Sequence, residues 1–284
     1  MTNQARLQVL RAAQGADGGW GFFPGKQSWL EPTVWALLAL RTDPQYRDAF
    51  QRGWQLVRKW QMPDGAWQAN AMVKESHWTT ALAVLLHFEE GVHDDAARRG
   101  VDWLLGVRGV ENSLIFRFGQ FLHPKAVEFD ASLEAWPWRP KSVSWVEPTA
   151  HSLVALRRAR TVFPSRQLDL RVDQGEKMLL DRRCRDGGWN YGNRRVLEDD
   201  LPSYPETTGV ALYGLSGNSK LDVRESLTLA RRYCSETHSP LAQAWLALAL
   251  CAHGVPASLP SESGTPDDIL VTAIEAVALS GGVA

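Results

Sequence analysis

Several features that mark other classes of protein are scarce in this chain of 284 residues. It has three cysteines, Cys184, Cys234 and Cys251, in no CxxC arrangement, which predicts free thiols in a reducing compartment. The net charge is −1 with mixed signs, so no basic stripe for nucleic acid is present. No apolar run approaches the roughly 20 residues of a spanning helix, and the N-terminus lacks the apolar core of a signal peptide. These absences predict a cytoplasmic protein that binds no nucleic acid and contacts a membrane only peripherally.

What the chain has instead is a repeated phrase, Asp-Gly-(Gly/Ala)-Trp, within residues 14–20, 61–67 and 183–189. One tryptophan per repeat explains why tryptophan (13) outnumbers tyrosine (5). A second phrase opens the apolar run after each repeat, and it also occurs once between the second and third repeats. Its four copies begin at Glu31, His77, Glu147 and Glu206. Such fixed self-similarity predicts a repeat architecture.

Amphipathic and almost wholly apolar segments alternate along the chain, and we predict about eleven helices and no sheet. The amphipathic helices are expected at about 46–61, 94–106, 167–182 and 221–236. The apolar helices are expected at about 32–40, from residue 78, and at 148–159, 206–215 and 240–252, with further helices at 3–13 and 266–279. Polar-faced helices outside apolar ones predict a single all-α domain over residues 1–284. Its fold would be an α/α toroid of about five to six helical hairpins. An open solenoid is less favoured, because the last segment is too apolar for a cap.

The repeat is interrupted once, by a long insertion at about residues 107–146. Loops of this length in a compact domain are usually lids or binding loops, and the aromatic residues of this one argue against disorder. Two interpretations stay open: the insertion folds over the mouth of the ring, or it covers an outer helix as packing.

The phrases at 14–20 and 61–67, which read Gln-x-x-Asp-Gly-(Gly/Ala)-Trp, resemble the QW motif of squalene and oxidosqualene cyclases. Those enzymes share an α/α toroid with the β subunits of protein prenyltransferases. The resemblance covers roughly residues 1–255 and suggests a small prenyltransferase/squalene oxidase repeat protein. It implies an apolar central cavity and a hydrophobic ligand of the isoprenoid class.

The motifs that carry activity in that family are mostly missing. Squalene cyclases have Asp-x-Asp-Asp-Thr-Ala, and the matching stretch here keeps only Glu147, with Trp145 and Pro148 where the flanking acids would be. A lone glutamate is a poorer acid for an alkene. The zinc ligands of protein prenyltransferases are also missing, since no cysteine lies at 147–149 and Thr207 stands where the histidine would be. We therefore expect no metal and no cofactor.

The candidate catalytic residues are Glu147, His151 and Glu206. Glu147 and Glu206, with Glu31 and His77 in equivalent places, would form a polar collar at inner-helix N-termini, where one glutamate acts as acid or base. The alternative is that these acids only cap their helices. His151 lies four residues after Glu147 on the same helix face. The two would pair in the cavity or form a satisfied polar pair within the helix layer.

The residues expected to contact a ligand are Glu31, His77, Trp35, Trp78, Trp138 and Trp145. Three hypotheses of function follow, and whether the protein is an enzyme stays open. The first is a terpenoid cyclase- or transferase-like enzyme acting on an isoprenoid. The second is a non-catalytic toroid that binds a protein or a lipid. The third is a carbohydrate-active α/α barrel using Glu147 and Glu206 as its carboxylate pair.

Overall fold

The computed structural model describes residues 1–122, 128–256 and 267–282. Within these ranges the chain forms twelve α-helices and one hairpin of two-residue strands, β1 (Arg195–Val196) and β2 (Asp199–Asp200). The helices are α1 (Asn3–Ala13), α2 (Leu30–Leu40), α3 (Arg47–Lys59), α4 (Thr80–Glu89), α5 (Asp95–Gly106), α6 (Leu114–Leu122), α7 (Val146–Arg160), α8 (Arg166–Asp181), α9 (Pro205–Leu215), α10 (Arg224–Glu236), α11 (Pro240–Ala252) and α12 (Ile269–Leu279).

The helices form two concentric layers. The inner helices pack side by side in the order α2, α4, α7, α9, α11 and α12, and α12 packs against α2, which closes the ring. The outer layer consists of α1, α3, α5, α8 and α10, each against an inner helix. The inner helices are buried on nearly all faces because both layers cover them, which is why their sequences are apolar throughout. The predicted all-α toroid is confirmed.

Each repeat tryptophan ties one outer helix to the next inner helix. The indole N–H of Trp20 donates to the carbonyl of Leu10 on α1 (2.7 Å), and its backbone N–H donates to the hydroxyl of Thr33 on α2 (2.9 Å). Trp67 and Trp189 make the same two kinds of bond, to Val57 and Thr80 and to Leu179 and Thr208. All three indoles are fully buried. The repeated phrase is therefore structural, and its threonine is as much a part of it as its tryptophan.

The interrupted repeat, which lies between the phrases at 61–67 and 183–189, keeps a tryptophan that was not identified as such from the sequence. Trp136 donates from its indole to Leu104 (2.8 Å) and from its backbone to Thr149 (3.2 Å). The Asp-Gly-Gly turn before it is replaced by Leu-Glu-Ala, so the pattern was not visible. Arg171 of α8 stabilises this altered turn by donating to the carbonyls of Glu134 and Val107.

The insertion at 107–146 is more ordered than the predicted loop. It contains a 3₁₀ turn at Val110–Asn112 and helix α6, neither of which was predicted. The amide of Asn112 donates to the carbonyls of Ala131 and Leu133, which fastens the two ends of the insertion together. Residues 123–127 of the insertion lie outside the described ranges. Helix α6 has only nine residues, which is shorter than the stretch of about 11–18 residues over which periodicity indicates a helix.

Gly175 on α8 tests the close contact between the repeat tryptophan and the outer helix. A Cβ at Gly175 would lie 2.7 Å from the Trp136 ring and 2.9 Å from Leu153, both of which are buried. We expect Gly175→Ala to lower the free energy of unfolding by about 1–3 kcal/mol, as overpacking does. Urea denaturation measures it. Gly106→Ala, at a helical glycine with nothing within 4 Å, is the matched control and should be neutral or slightly stabilising. Equal effects would contradict the close contact.

Candidate functional site at the ring mouth

Three glutamates from different inner helices converge at one end of the ring axis. Glu31, Glu147 and Glu206 are each the second residue of an inner helix, α2, α7 and α9. Burial, followed by the charges of Glu31 and Glu206, raises the pKa of Glu147 well above its ordinary value. Burial and the charge of Glu206 raise the pKa of Glu31 to about 7. Since α2 and α9 are not neighbours in the ring, the effect of Glu206 on Glu31 indicates that both carboxylates lie towards the interior of the ring at the same end.

These carboxylates have no partner in the part of the chain that the structure describes. None of the three accepts a hydrogen bond or forms an ion pair there. The glutamates do not cap their helices by hydrogen bonding, because none of them accepts a bond from a backbone N–H among the described residues. A carboxylate that bonded to backbone N–H groups would also have a lowered pKa, whereas that of all three is raised.

The raised pKa of Glu31 gives a test by pH. Between pH 4.5 and about 7 the folded state binds more protons at Glu31 than the unfolded chain does, so stability falls as pH rises through this window. We expect Glu31→Gln to remove part of that fall, because glutamine does not titrate. Melting temperatures across the window measure it. Glu225→Gln, in the first turn of the outer helix α10, should follow the wild type. Parallel curves for Glu31→Gln and wild type would contradict the crowding of the carboxylates.

His77 holds the equivalent place before α4 but has different surroundings. Burial lowers its pKa to about 4, and its charged neighbours are Glu75 and Arg139 rather than the three glutamates. Its Nδ1 atom is buried without a hydrogen-bond partner. His77 therefore does not share the electrostatic surroundings of the three glutamates, although the sequence puts all four residues in equivalent positions.

His151 lies within a cluster of aromatic rings and does not pair with Glu147. Both of its ring nitrogens lack a hydrogen-bond partner, and burial alone lowers its pKa to about 3. The predicted hydrogen-bonded Glu147–His151 pair is therefore wrong. The side chain reaches an apolar layer of the ring instead, with ring centres 5.2–6.3 Å from its own. The rings are Trp35, Trp78, Tyr213 and Trp245.

This aromatic cluster fills the centre of the ring at the level of His151. Trp35, His151 and Tyr213 are at most 1% exposed, so no space for a water molecule borders them. Among the described residues, no open apolar cavity of the kind that the resemblance implied is found at this level, because four large rings and an imidazole occupy it. Trp35 and Trp78 were expected at a ligand, whereas Tyr213 and Trp245 were missed. The sequence contained one indication of this cluster. Trp35 and His151 each lie four residues after a glutamate of the ring mouth, and therefore on the same helix face as that glutamate.

The two remaining predicted tryptophans lie on the rim. Trp138 contacts Trp78 edge-on at 5.1 Å between ring centres. Trp145 immediately precedes α7, and its backbone N–H donates to the carbonyl of Trp136. The sequence analysis missed two exposed tyrosines, Tyr191 and Tyr204, whose rings lie 5.5 Å apart.

Tyr191 and Tyr204 belong to the surroundings of the carboxylates. The pKa of Tyr191 is raised by burial and then by the charges of Glu206, Tyr204 and Glu147. Neither tyrosine is part of the repeated phrases, so the repeat gave no reason to select them.

No group of three His, Cys, Asp or Glu side chains in the described ranges is arranged to hold a metal ion. The three glutamates therefore face one another without forming a coordination site. Among the described helices, none is long and apolar enough to cross a membrane.

The closed double ring defines this protein as an α/α toroid, and the solved structures that it resembles include a terpene cyclase and glycosidases. A variant of the type II terpene cyclase MstE from Scytonema, in complex with geranylgeranyl dihydroxybenzoate, matches with a TM-score of 0.58 and 17% identity over 98% of this chain and 76% of that one. The endoglucanase Cel10 of Klebsiella pneumoniae, a family 8 glycosyl hydrolase, matches with a TM-score of 0.62 and 13% identity over 98% and 99%.

An α-mannanase of family GH76 from Bacteroides thetaiotaomicron matches with a TM-score of 0.58 and 9% identity over 96% of this chain and 93% of that one. No family model matches the sequence, and no curated protein matches it. At these identities the likeness concerns the fold, and function has to be argued from the site.

Proposed function

We propose that this protein is an enzyme that transfers protons at the mouth of its ring. The observation that carries the proposal is the convergence of Glu31, Glu147 and Glu206 without a hydrogen bond or a cation among the described residues. Crowded carboxylates that lack partners destabilise a fold. Groups of this kind, with strongly shifted pKa values, are concentrated at active sites.

The different environments of the carboxylates suggest separate roles. Burial and the charges of Glu31 and Glu206 raise the pKa of Glu147 well above its ordinary value, which favours its protonated form and suits it to donate a proton. Glu206 has a raised pKa with burial as its cause; in its charged form it accepts the proton or stabilises positive charge. Two carboxyl groups with separated pKa values are a recurrent arrangement for acid–base chemistry.

The charges around the site restrict the substrate to neutral molecules. Among the described residues, no lysine or arginine contributes to the pKa shifts of the three glutamates, so these groups disfavour an anionic substrate such as a diphosphate. A carboxylic acid with a raised pKa is a weak acid, which favours protonation of an oxygen over protonation of an alkene. We therefore propose a neutral isoprenoid or terpenoid that carries an oxygen function.

The resemblance to the QW motif and the fold shared with a terpene cyclase that binds geranylgeranyl dihydroxybenzoate support this class of substrate. Membership of the QW-repeat family is part of the proposal. The rim tryptophans would contact the apolar part of such a molecule.

A second candidate is glycoside hydrolysis with Glu147 as acid and Glu206 as its partner. The observation in its favour is the open rim, where partly exposed carboxylates lie near the exposed rings of Tyr191 and Tyr204 while the axis below is filled. Aromatic rings beside a carboxylate pair suit a sugar chain, and two toroids of similar fold are glycosidases.

Native mass spectrometry of the purified protein, followed by solvent extraction, tests the proposal first. An isoprenoid or terpenoid mass released from the protein would support the first candidate, and turnover of a neutral glycan in a panel would support the second. Protein that is empty across several preparations and inactive on both classes would contradict enzymatic function and favour a scaffold that binds another protein.

A further inference from the structure

Helix α6 of the insertion exposes a row of large apolar side chains. Leu114, Phe118 and Leu122 are 80%, 64% and 58% exposed, and residues at this spacing lie on one face of a helix. Another face carries Phe116, whose ring stacks on that of Phe129 with the centres 6.1 Å apart. Apart from this contact, α6 packs mainly against the 3₁₀ turn that precedes it. No described element of the fold therefore covers the row.

Most of the other large apolar side chains that the described residues expose lie at the same end of the ring. The connections that lead into the inner helices are at the end where the three glutamates converge, because each glutamate lies at an inner-helix N-terminus. Besides the α6 row, these connections expose Phe23, Met72, Tyr191, Leu197 and Tyr204. Among the described residues, the exceptions are Val162, Leu170 and Leu279. Exposed apolar surface that is concentrated in this way marks contact with a partner or a membrane.

The insertion also carries unpaired bases close to α6. Arg139 and Lys141 are exposed, and neither forms an ion pair with a described residue. The backbone N–H of Val110 donates to the carbonyl of Ser142 (3.1 Å), which places these bases beside the turn that leads into α6. The described acids of the insertion are each buried or bonded already: Glu111, Glu128, Asp130 and Glu134. The insertion therefore offers positive charge beside its apolar row.

The size and shape of this surface favour a lipid bilayer over a second protein. Helix α6 has nine residues and is only about 13 Å long, so its row alone offers much less than the roughly 1,000 Å² of a stable protein interface. The other exposed apolar side chains lie on separate connections, which a flat and fluid surface can contact together. Since α6 is too short to span a bilayer, it would lie in the plane of the surface with its apolar row at the boundary between headgroups and acyl chains.

We propose that α6 binds the surface of a bilayer that contains anionic lipid. Leu114, Phe118 and Leu122 enter the acyl region, and Arg139 and Lys141 contact the phosphates of the headgroups. The mouth of the ring then faces the bilayer, so an apolar molecule dissolved in the lipid reaches it without crossing water. This inference does not depend on the chemistry proposed at the mouth, and its test measures binding alone.

Sedimentation of the full chain with vesicles of phosphatidylcholine and phosphatidylglycerol tests the proposal, and the wild type should sediment with them. We expect Leu114→Ser to lower the partition coefficient about tenfold, because it withdraws one leucine side chain from the apolar phase. Leu170→Ser is the matched control, since Leu170 is a 53% exposed leucine near the start of the outer helix α8, at the opposite end of the ring. This variant should bind as the wild type does.

A charge variant tests the part played by the bases. Lys141→Gln should weaken binding to the anionic vesicles about fivefold, whereas Lys177→Gln on α8 should leave it unchanged. Equal binding by these two variants would overturn the role given to the bases.

Because all the substituted residues are exposed, each variant should keep the wild-type melting temperature. Analytical ultracentrifugation without lipid shows whether the row joins two copies of the chain instead. The proposal is overturned if the wild type does not bind the anionic vesicles, if Leu114→Ser binds as tightly as Leu170→Ser, or if the wild type forms a dimer that Leu114→Ser dissociates.

Discussion

Replacing Glu275 by alanine is expected to lower the free energy of unfolding by about 3–5 kcal/mol, the cost typical of breaking a buried ion pair. Glu275 of α12 accepts a hydrogen bond from Nε of Arg6 on α1 at 2.7 Å, and the two side chains are 0% and 1% exposed. Without the carboxylate, the Arg6 guanidinium would remain as an uncompensated buried charge. The pair joins the first and last described helices, so its loss would weaken the closure of the ring. Urea denaturation followed by tryptophan fluorescence measures the change.

Two further variants test whether the loss of stability comes from leaving one buried charge without its partner. Lys177→Met breaks an exposed pair with Asp173 on α8 and should cost less than about 1 kcal/mol. The double variant Arg6→Met/Glu275→Leu removes both buried charges and should recover most of the lost stability, because apolar residues often replace such a pair without cost. A loss for Glu275→Ala no larger than that for Lys177→Met would show that the pair does not hold the ring closed.

Replacing Glu147 by glutamine is expected to reduce turnover by about 10²–10⁴-fold, the usual contribution of a proton donor. The variant should leave the melting temperature nearly unchanged at neutral pH. Burial and two neighbouring acids raise the pKa of Glu147 well above its ordinary value, which favours the uncharged form that glutamine resembles. The measurement is the steady-state rate on the substrate class that extraction or the glycan panel identifies.

The separation of activity from stability distinguishes a catalytic role from a structural one. Glu225→Gln, in the first turn of the outer helix α10, is the matched control and should alter neither quantity. Glu206→Gln should also lower the rate, because it removes the partner carboxylate. It also removes one of the two negative charges that act on Glu147. Full activity of Glu147→Gln, or a loss of several degrees in melting temperature, would contradict the role of proton donor.

The repeat was predictable because it depends on local chemistry. Each Asp-Gly-Gly-Trp phrase requires a glycine with positive φ, as at Gly18 and Gly187, and a tryptophan that hydrogen-bonds to helices close to it in sequence. The interrupted repeat before Trp136 was not recognised because its turn has no such glycine. Its Trp136 bonds to Leu104, 32 residues earlier, whereas Trp20 bonds ten residues earlier. Once the spacing changes, only the fold shows that the two tryptophans are equivalent.

The amino-acid sequence alone determined the all-α class, the alternation of outer and inner helices and the placement of a glutamate at the start of three inner helices. It could not determine what those side chains face, because Glu31 and Glu206 are 175 positions apart and meet only when the ring closes. Closure likewise decided that His151 reaches a cluster of rings rather than Glu147. The spacing of residues along one helix determines which face of that helix each residue occupies. The residues that it meets across the ring belong to other helices, and the spacing does not determine them. Tertiary packing therefore decided the site.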